Sequence, residues 1–408
     1  MNSQFDNGTT STTFTVRPSD LGAILVDQLH LQATSFSPFA EILADYVPGS
    51  GTMSDTARQL ANDTAFAAVA GVLARPDLRL ELLVGGGMAP LGSLRAYASK
   101  AAGGMLVAIA PGDGEWDIRL FDTPRSCAEW FARQTGTNTQ AGEPNYLAPP
   151  CTLSTLVAAF HTVDAFRRTA YQDMLGYKRT LDPMITPEEF RSSAQAAIHS
   201  QDIRWLLPSL LVLNPTLAES IGRMGSDGLE QAVKRGFLIG AKRAGGTDTV
   251  LLFGEAGTCM GSEFLRSWVS SCGYGLDVVG PDGPRTLQRG YIASTALANH
   301  WFRFDTNDGV LQVNHQPLSL EQYAQKMGDL LLSGTVVERQ AGAAGAFVKS
   351  KQTILSRAVS QEKTISADAA PAKTPKFCPS CGAPVKPGAK FCASCGRPLR
   401  AGGTSGES

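Results

Sequence analysis

Alternating hydrophobic and charged positions predict a β-hairpin in the first third of the chain. Met105–Pro111 is an apolar run, and apolar side chains alternate with charged ones across Trp116–Phe121, the period of a half-buried antiparallel strand. Asp113-Gly114 stands between the two runs, and both residues tolerate the positive φ of a tight hairpin turn. Ser126 and Glu129 then have the spacing of a capping box, so we expect a helix directly after the hairpin.

The same order of elements recurs near the end of the hydrophobic pattern. Residues 301–305 predict a strand, Asp308-Gly309 a turn and residues 310–314 the returning strand. Residues 317–323 then repeat the Pro-x-Ser-x-x-[Glu/Gln]-aromatic order of the first capped helix. The ordered set predicts an internal duplication.

Upstream of each hairpin, a predicted helix leads to a strand and then to a glycine-rich turn. These elements lie at residues 56–74, 78–84 and 85–87 in the first copy and at 228–243, 249–253 and 254–257 in the second. The second copy carries an extra predicted hairpin, residues 276–279 turning at 281–283.

Between the copies, residues 153–224 predict helices. Apolar residues recur there at helical spacing, namely Leu156, Phe160, Val163, Ala170 and Met174. Thr186, Pro187 and Glu189 mark a second helix start, with a threonine cap, proline at the first position and glutamate three residues after the cap.

Composition describes an ordinary globular protein. Of 408 residues, 43% are hydrophobic and 18% charged, and the net charge of -1 argues against binding nucleic acid or membrane through the charge of the whole protein. Residues 1–20 lack a basic start and an apolar run, and Pro208 interrupts the longest apolar stretch. Four cysteines have no disulfide-framework spacing, namely Cys127, Cys151, Cys259 and Cys272. We therefore expect a cytoplasmic protein without a membrane partner.

The strongest chemical signal is a pair of Cys-x2-Cys motifs near the C-terminus. Their cysteines are Cys378, Cys381, Cys392 and Cys395. Four thiolates at this spacing can surround one Zn²⁺ tetrahedrally and leave no coordination position open, which predicts one structural zinc per chain. The segment resembles the short zinc-ribbon domains appended to many bacterial and archaeal proteins, in which Cys-Pro-x-Cys-Gly and Phe-Cys-x-x-Cys-Gly recur. That resemblance implies a rubredoxin-like module of two knuckles.

The surroundings of these cysteines are basic. Residues 371–400 hold six lysines and arginines and no acidic residue. This charge could contact nucleic acid or an acidic protein, or it could simply be a solvated tail. Beyond Phe377 and Phe391 there is no aromatic side chain for stacking bases, which weakens the case for nucleic acid.

The predicted fold class is α+β, with two similar lobes, each built from a helix, a strand, an antiparallel hairpin and a capped helix. A helical segment joins the lobes, and a small zinc ribbon follows them. The predicted domains are a disordered N-terminus (1–20), a first lobe (21–152), a helical connector (153–224), a second lobe (225–337), a linker (338–375) and the ribbon (376–400).

One pattern allows an enzymatic interpretation. Gly257-Thr258-Cys259-Met260-Gly261 follows a predicted strand and precedes a predicted helix at residues 263–269, as in a nucleophile elbow with cysteine in place of serine. Asp277 and His300 follow in the order of an α/β-hydrolase, and His315 is a second candidate base. Three residues separate strand and elbow, and no series of βα units precedes it. A phosphate loop is the other interpretation, but the Gly-Lys-[Ser/Thr] ending is missing.

Two functions therefore stand open. The first is a non-enzymatic zinc-binding adaptor or chaperone-like protein, in which the duplicated body binds a protein partner and the tethered basic ribbon gives a second contact. In its arrangement of two hairpin-on-helix lobes the body resembles chaperones of type VII secretion systems, although no motif carries that resemblance. The alternative is a cysteine hydrolase that uses Cys259.

Overall fold

The structure is a computed structural model. It describes residues 11–336 apart from 52, 87–88, 113, 141–144, 148–150, 179–182, 222–227, 244 and 308–309. All described residues belong to the first of two units of the chain, Met1–Phe347. The predicted linker and zinc ribbon, like the Asp113 and Asp308-Gly309 turn positions, lie outside the described residues.

Strands and helices are numbered in chain order. The strands are β1 (Ser11–Val16), β2 (Leu78–Gly86), β3 (Ala89–Ser99), β4 (Met105–Pro111), β5 (Trp116–Phe121), β6 (Cys151–Thr152), β7 (Met184–Ile185), β8 (Leu238–Lys242), β9 (Thr249–Phe253), β10 (Ser270–Gly280), β11 (Gly283–Ser294), β12 (Asn299–Asn307) and β13 (Val310–Leu318). The helices are α1 (Pro18–Gly22), α2 (Ala40–Ala44), α3 (Asp55–Ala61), α4 (Thr64–Ala74), α5 (Pro124–Thr135), α6 (Leu153–Leu175), α7 (Pro187–Ile198), α8 (Leu206–Leu213), α9 (Pro215–Ile221), α10 (Gly228–Lys234), α11 (Glu255–Ser267) and α12 (Leu320–Val336). A π-helical turn (Ala23–Gln28) and a 3₁₀ turn (Lys100–Ala102) complete the described elements.

Ten strands form one antiparallel sheet in the order β1-β5-β4-β3-β2-β10-β11-β12-β13-β6. Strands β2 to β5 make one meander and β10 to β13 another, and the two meet where β2 pairs with β10. A helix follows each meander, α5 after β5 and α12 after β13. The fold is therefore α+β, and its main sheet is continuous across both predicted lobes.

All three predicted hairpins are present, but other elements of the proposed repeat differ from the sequence prediction. The hairpin β10–β11 is not an addition to the second copy, because it occupies the place that β2–β3 holds in the first. The strand matched to β2 by sequence, β9, belongs instead to a separate sheet of order β7-β9-β8. The repeated order of strands and helix is compatible with a duplication, which stays a prediction.

Capping residues decide where several helices begin. The cap at Thr186 with Glu189 is confirmed as a reciprocal capping box. The helix after the first hairpin begins one turn earlier than predicted, because Thr123 rather than Ser126 is the cap. Asp63 accepts two backbone hydrogen bonds and starts a new helix there, so the predicted helix at 56–74 is divided.

Two further predictions are corrected. Within the N-terminus predicted to be disordered, residues 11–20 contain β1 and the start of α1, since Phe14 and Val16 bury their side chains in the core beside the N-terminal helices while Thr15 between them is exposed. The helix predicted at 228–243 ends at Lys234, because Gly236 takes a positive φ and the chain continues as β8.

Both faces of the main sheet are covered. On one face α5 and α12 pack over the central strands, and Phe131 and Met327 meet Leu80, Tyr274 and Trp301 there. On the other face, the N-terminal helices cover β3 to β5. Helices α6 and α8 cover β11 to β13 beside them.

The long helix α6 is buried along most of its length. Its predicted apolar stripe is buried at Leu156, Phe160, Val163 and Ala170, whereas Met174 at its end is 44% exposed. The small sheet β7-β9-β8 joins the same core through Ile185, Leu238 and Leu251. None of the described helices has the length and apolar character to cross a bilayer.

Candidate functional site

The four ribbon cysteines lie outside the described residues. Their donor set nevertheless fits zinc, since thiolate sulfur is a preferred ligand of structural Zn²⁺ and no fifth group is needed. Within the described ranges, no three histidine, cysteine or carboxylate side chains are placed to hold a metal ion. Cys378, Cys381, Cys392 and Cys395 therefore stay the predicted zinc ligands.

The predicted nucleophile elbow is wrong, because the segment is helical. Helix α11 runs over Glu255–Ser267, with Gly254 as its cap, so Cys259 lies inside a helix and not at a strand-to-helix turn. The glycines of the motif serve packing instead. A Cβ at Gly257 would overlap the carbonyl of Phe237, and one at Gly261 would overlap the ring of Phe166.

The other proposed catalytic residues are bound to different partners. Asp277 on β10 accepts hydrogen bonds from Arg79 at 2.8 Å and from Thr286 at 2.7 Å. The His300 ring bonds to Glu263 and His315 instead. The structure does not join Cys259, Asp277 and His300 into a hydrogen-bonded triad among the described residues.

His300 and His315 belong to a buried polar network, here called the Glu263 network. The His300 Nε2 lies 2.8 Å from Glu263 Oε1, and the His300 Nδ1 lies 3.1 Å from His315 Nε2. Its last link joins His315 Nδ1 to Asn145 Oδ1 at 2.9 Å. Tyr146 donates to the second Glu263 oxygen at 2.6 Å.

The hydrogen bonds fix how the protons are arranged. The Leu147 N–H donates to Asn145 Oδ1, so that atom is an acceptor and His315 Nδ1 must carry the proton between them. One nitrogen of the His300–His315 contact must then accept and the other donate. The two rings and the carboxyl of Glu263 together therefore hold one proton more than two neutral imidazole rings would carry. The positive charge of this extra proton balances the negative charge of the carboxylate.

Burial and hydrogen bonding shift the pKa values in this network. Burial opposes the charge of Glu263, but hydrogen bonds from His300, Thr295 and Tyr146 outweigh it and lower the pKa of the carboxyl. Burial, together with the neighbouring His300, lowers the pKa of His315 well below its ordinary value. Burial and the bond to Glu263 raise the pKa of Tyr146.

The Glu263 network therefore fastens elements to one another. It links α11, β12 and β13 with the segment that carries Asn145 and Tyr146. His300 is only 1% exposed and Glu263 4%, so neither side chain faces solvent. The sequence drew attention to both histidines but gave no signal for Glu263, because its partner His300 lies in a strand far along the chain.

A different feature is open to solvent, the outer face of the small sheet. Met184 pairs with Leu252, and Leu252 pairs with Ile239, so the three side chains form one row across β7, β9 and β8. They are 43%, 39% and 52% exposed. We call this row the small-sheet surface. In the described part of the chain β8 is an edge of that sheet.

Comparison with solved structures finds the type VII secretion system chaperone EspG5 of Mycobacterium tuberculosis, determined in complex with a PE25–PPE41 dimer. It shares 13% sequence identity with this chain, and the match covers 79% of this chain and 96% of that one at a TM-score of 0.32. No curated protein matches. The zinc-ribbon domain family matches residues 377–399, which confirms the predicted C-terminal zinc ribbon.

Proposed function

We propose that this protein is a non-enzymatic zinc-binding adaptor with a chaperone-like mode of action. Its body binds a protein partner through the small-sheet surface, and the basic zinc ribbon gives a second contact. The observation that carries the proposal is the apolar row of Met184, Leu252 and Ile239, half-exposed beside an open sheet edge. Apolar side chains grouped in this way on a soluble protein are typical of interaction sites.

The chemistry of the described residues supports binding over catalysis. The two histidines and the carboxylate that could act as acid and base are bonded to one another and buried. Cys259 is exposed on a helix, with no histidine hydrogen-bonded to it among the described residues.

The zinc ribbon contributes to binding in two ways. A closed site of four cysteines orders a short segment that has little hydrophobic core of its own, and we propose one structural Zn²⁺ per chain. The residues between the body and the ribbon act as a tether, so the second contact forms at a raised effective concentration once the first has formed. The described cysteines are free thiols, which fits the reducing cytoplasm where we place the protein.

Affinity capture from native cells tests this proposal. We compare the full chain, a truncation lacking residues 371–408, Leu252→Glu, and Val47→Glu as a control at an apolar residue that is 64% exposed elsewhere. Leu252→Glu should lose the partner, the truncation should weaken its capture, and Val47→Glu should keep it. Equal capture by all four proteins would remove both contacts from the mechanism.

A further inference from the structure

The hydrogen-bond pattern of the small sheet leaves one row of backbone groups on β8 without a backbone partner among the described residues. In an antiparallel ladder alternate residues direct both N–H and C=O to the same neighbour. The Gly254 N–H donates to the Phe237 carbonyl at 2.9 Å, and the Arg243 N–H donates to the Asp248 carbonyl at 3.2 Å. Residues 239 and 241 therefore bond to β9 as well. By the same alternation Leu238, Gly240 and Lys242 point their backbone groups away from the sheet.

The surroundings of this edge give a second strand room to approach. Ile239, Gly240 and Lys242 are exposed. A Cβ placed on Gly240 would point to the same face of the sheet as Lys242 and would meet no atom within 4 Å, so that face is open at the centre of the strand. Leu238 is 1% exposed, so the outward donor–acceptor pairs open to solvent are those of Gly240 and Lys242. Exposed backbone pairs beside an apolar row are the features that strand-addition sites use, since the backbone bonds give affinity and alternate side chains give specificity.

The charge around β8 favours some partner strands over others. Lys234, Lys242 and Arg243 are all exposed near the two ends of the strand. Over residues 228–254 the four basic residues outnumber the two acidic ones, Glu230 and Asp248. A second copy of this chain would bring like charges together at this edge, whereas an acidic segment would complement them.

We propose that β8 accepts an extended acidic segment of a partner protein as an additional antiparallel strand. With Gly240 at the centre of the pairing, the partner places an acidic residue opposite Lys242 and an apolar residue opposite Ile239, on the small-sheet surface. Because the strands run in opposite directions, these two positions read Asp/Glu-x-x-Val/Ile/Leu in the partner. This inference rests on the proposed adaptor function and specifies the partner's chemistry.

The test uses a fluorescein-labelled peptide, Ser-Thr-Glu-Thr-Thr-Val-Thr-Ser with blocked ends, and measures its binding to the full chain by anisotropy. Gly240→Pro removes the central outward N–H and leaves the β8–β9 bonds intact, because proline is tolerated where the N–H faces away from the sheet. It should weaken binding about tenfold or more, whereas Gly240→Ala, which keeps the N–H, should stay within about twofold. Thermal unfolding checks that both variants fold.

A charge exchange provides an independent readout. Replacing the peptide's glutamate by lysine should weaken binding about two- to fivefold, and Lys242→Glu should restore the binding of that lysine peptide. Equal affinity for the two peptides, or unchanged binding by Gly240→Pro, overturns the inference. So does a dimer in sedimentation that Gly240→Pro abolishes, since the occupant would then be a second copy.

The outcome separates this inference from the proposed function. If Leu252→Glu loses the native partner while Gly240→Pro captures it normally, the adaptor function stands and strand addition falls. If the peptide binds as expected while Leu252→Glu and the truncation capture normally, the edge is a peptide site and the two-contact adaptor falls.

Discussion

The buried histidine of α6 should make stability depend on pH in a way that can be measured at one residue. His161 is 3% exposed, and its Nε2 lies 3.0 Å from the Phe190 carbonyl. That carbonyl can only accept, so Nε2 carries the proton. The Nδ1 is buried with no hydrogen-bond partner among the described residues. A second proton would therefore place an unsolvated charge next to the Phe190 ring.

The size of the effect follows from the pKa. Burial lowers the pKa of His161 from 6.5 to about 4, with a smaller contribution from Arg168 in the same direction. As the pH falls below 6.5, the unfolded chain takes up the proton first, so the folded state loses stability until the pH reaches about 4. Relative to pH 7, proton linkage gives a loss of about 2 kcal/mol at pH 5 and about 3 kcal/mol at pH 4.

Urea unfolding at pH 7, 5 and 4 measures this loss, and all five tryptophans report on the body because the last one in the sequence is Trp301. His161→Gln keeps an N–H for the Phe190 carbonyl but cannot titrate. Its stability should fall by about 2 kcal/mol less than that of the wild type between pH 7 and pH 5. The same change at exposed His199 controls for the loss of a histidine. If His161→Gln follows the wild-type pH profile, the histidine is not held neutral by burial.

Three further predictions test the packing, the polar network and the metal site. Gly261→Ala should destabilise the protein by about 1–3 kcal/mol in urea, because the new methyl group overlaps the Phe166 ring. Gly71→Ala, in a helix where the methyl group meets nothing within 4 Å, should instead stabilise by about 0.5–1 kcal/mol, and a loss at both positions would contradict the packing argument. Glu263→Gln should cost about 3–5 kcal/mol at pH 7, since it removes the charge that balances the buried histidine pair, and a cost below about 1 kcal/mol would show that the pair is neutral. Elemental analysis should find one zinc per chain, and Cys378→Ser should abolish it; full zinc content in that variant would exclude this cysteine as a ligand.

Local patterns predicted the hairpins and several helix starts, because those depend on neighbouring residues. The alternation around Ile118 marked β5, and the cap at Thr186 placed α7. Strand β10 escaped recognition as the partner of β2. Gly273 and Gly275 interrupt its alternation, and the reason for Gly273 is the Leu213 carbonyl packed directly over it.

The site residues were harder to predict because their roles also depend on residues that are distant in the sequence. A glycine pattern such as Gly257-x-Cys259-x-Gly261 fits a turn as well as a helix, and only the distant Phe166 and Phe237 decide between them. Glu263 acquires its role from His300, and Ile239 becomes part of a surface only because Leu252 lies beside it. Each of these facts depends on contacts between segments that are far apart in sequence.

The pairing of β2 with β10 has a consequence for how the chain folds during synthesis. Leu78 pairs with Val278, so the centre of the sheet cannot close until about 200 further residues have left the ribosome. Until then β2 is an unpaired edge, and the face of α5 that packs against α12 has no partner. Such an edge is prone to associate with other strands. A nascent chain that has released only its N-terminal half is therefore most prone to aggregate. For the same reason, residues 21–152 expressed alone should aggregate instead of folding as a lobe.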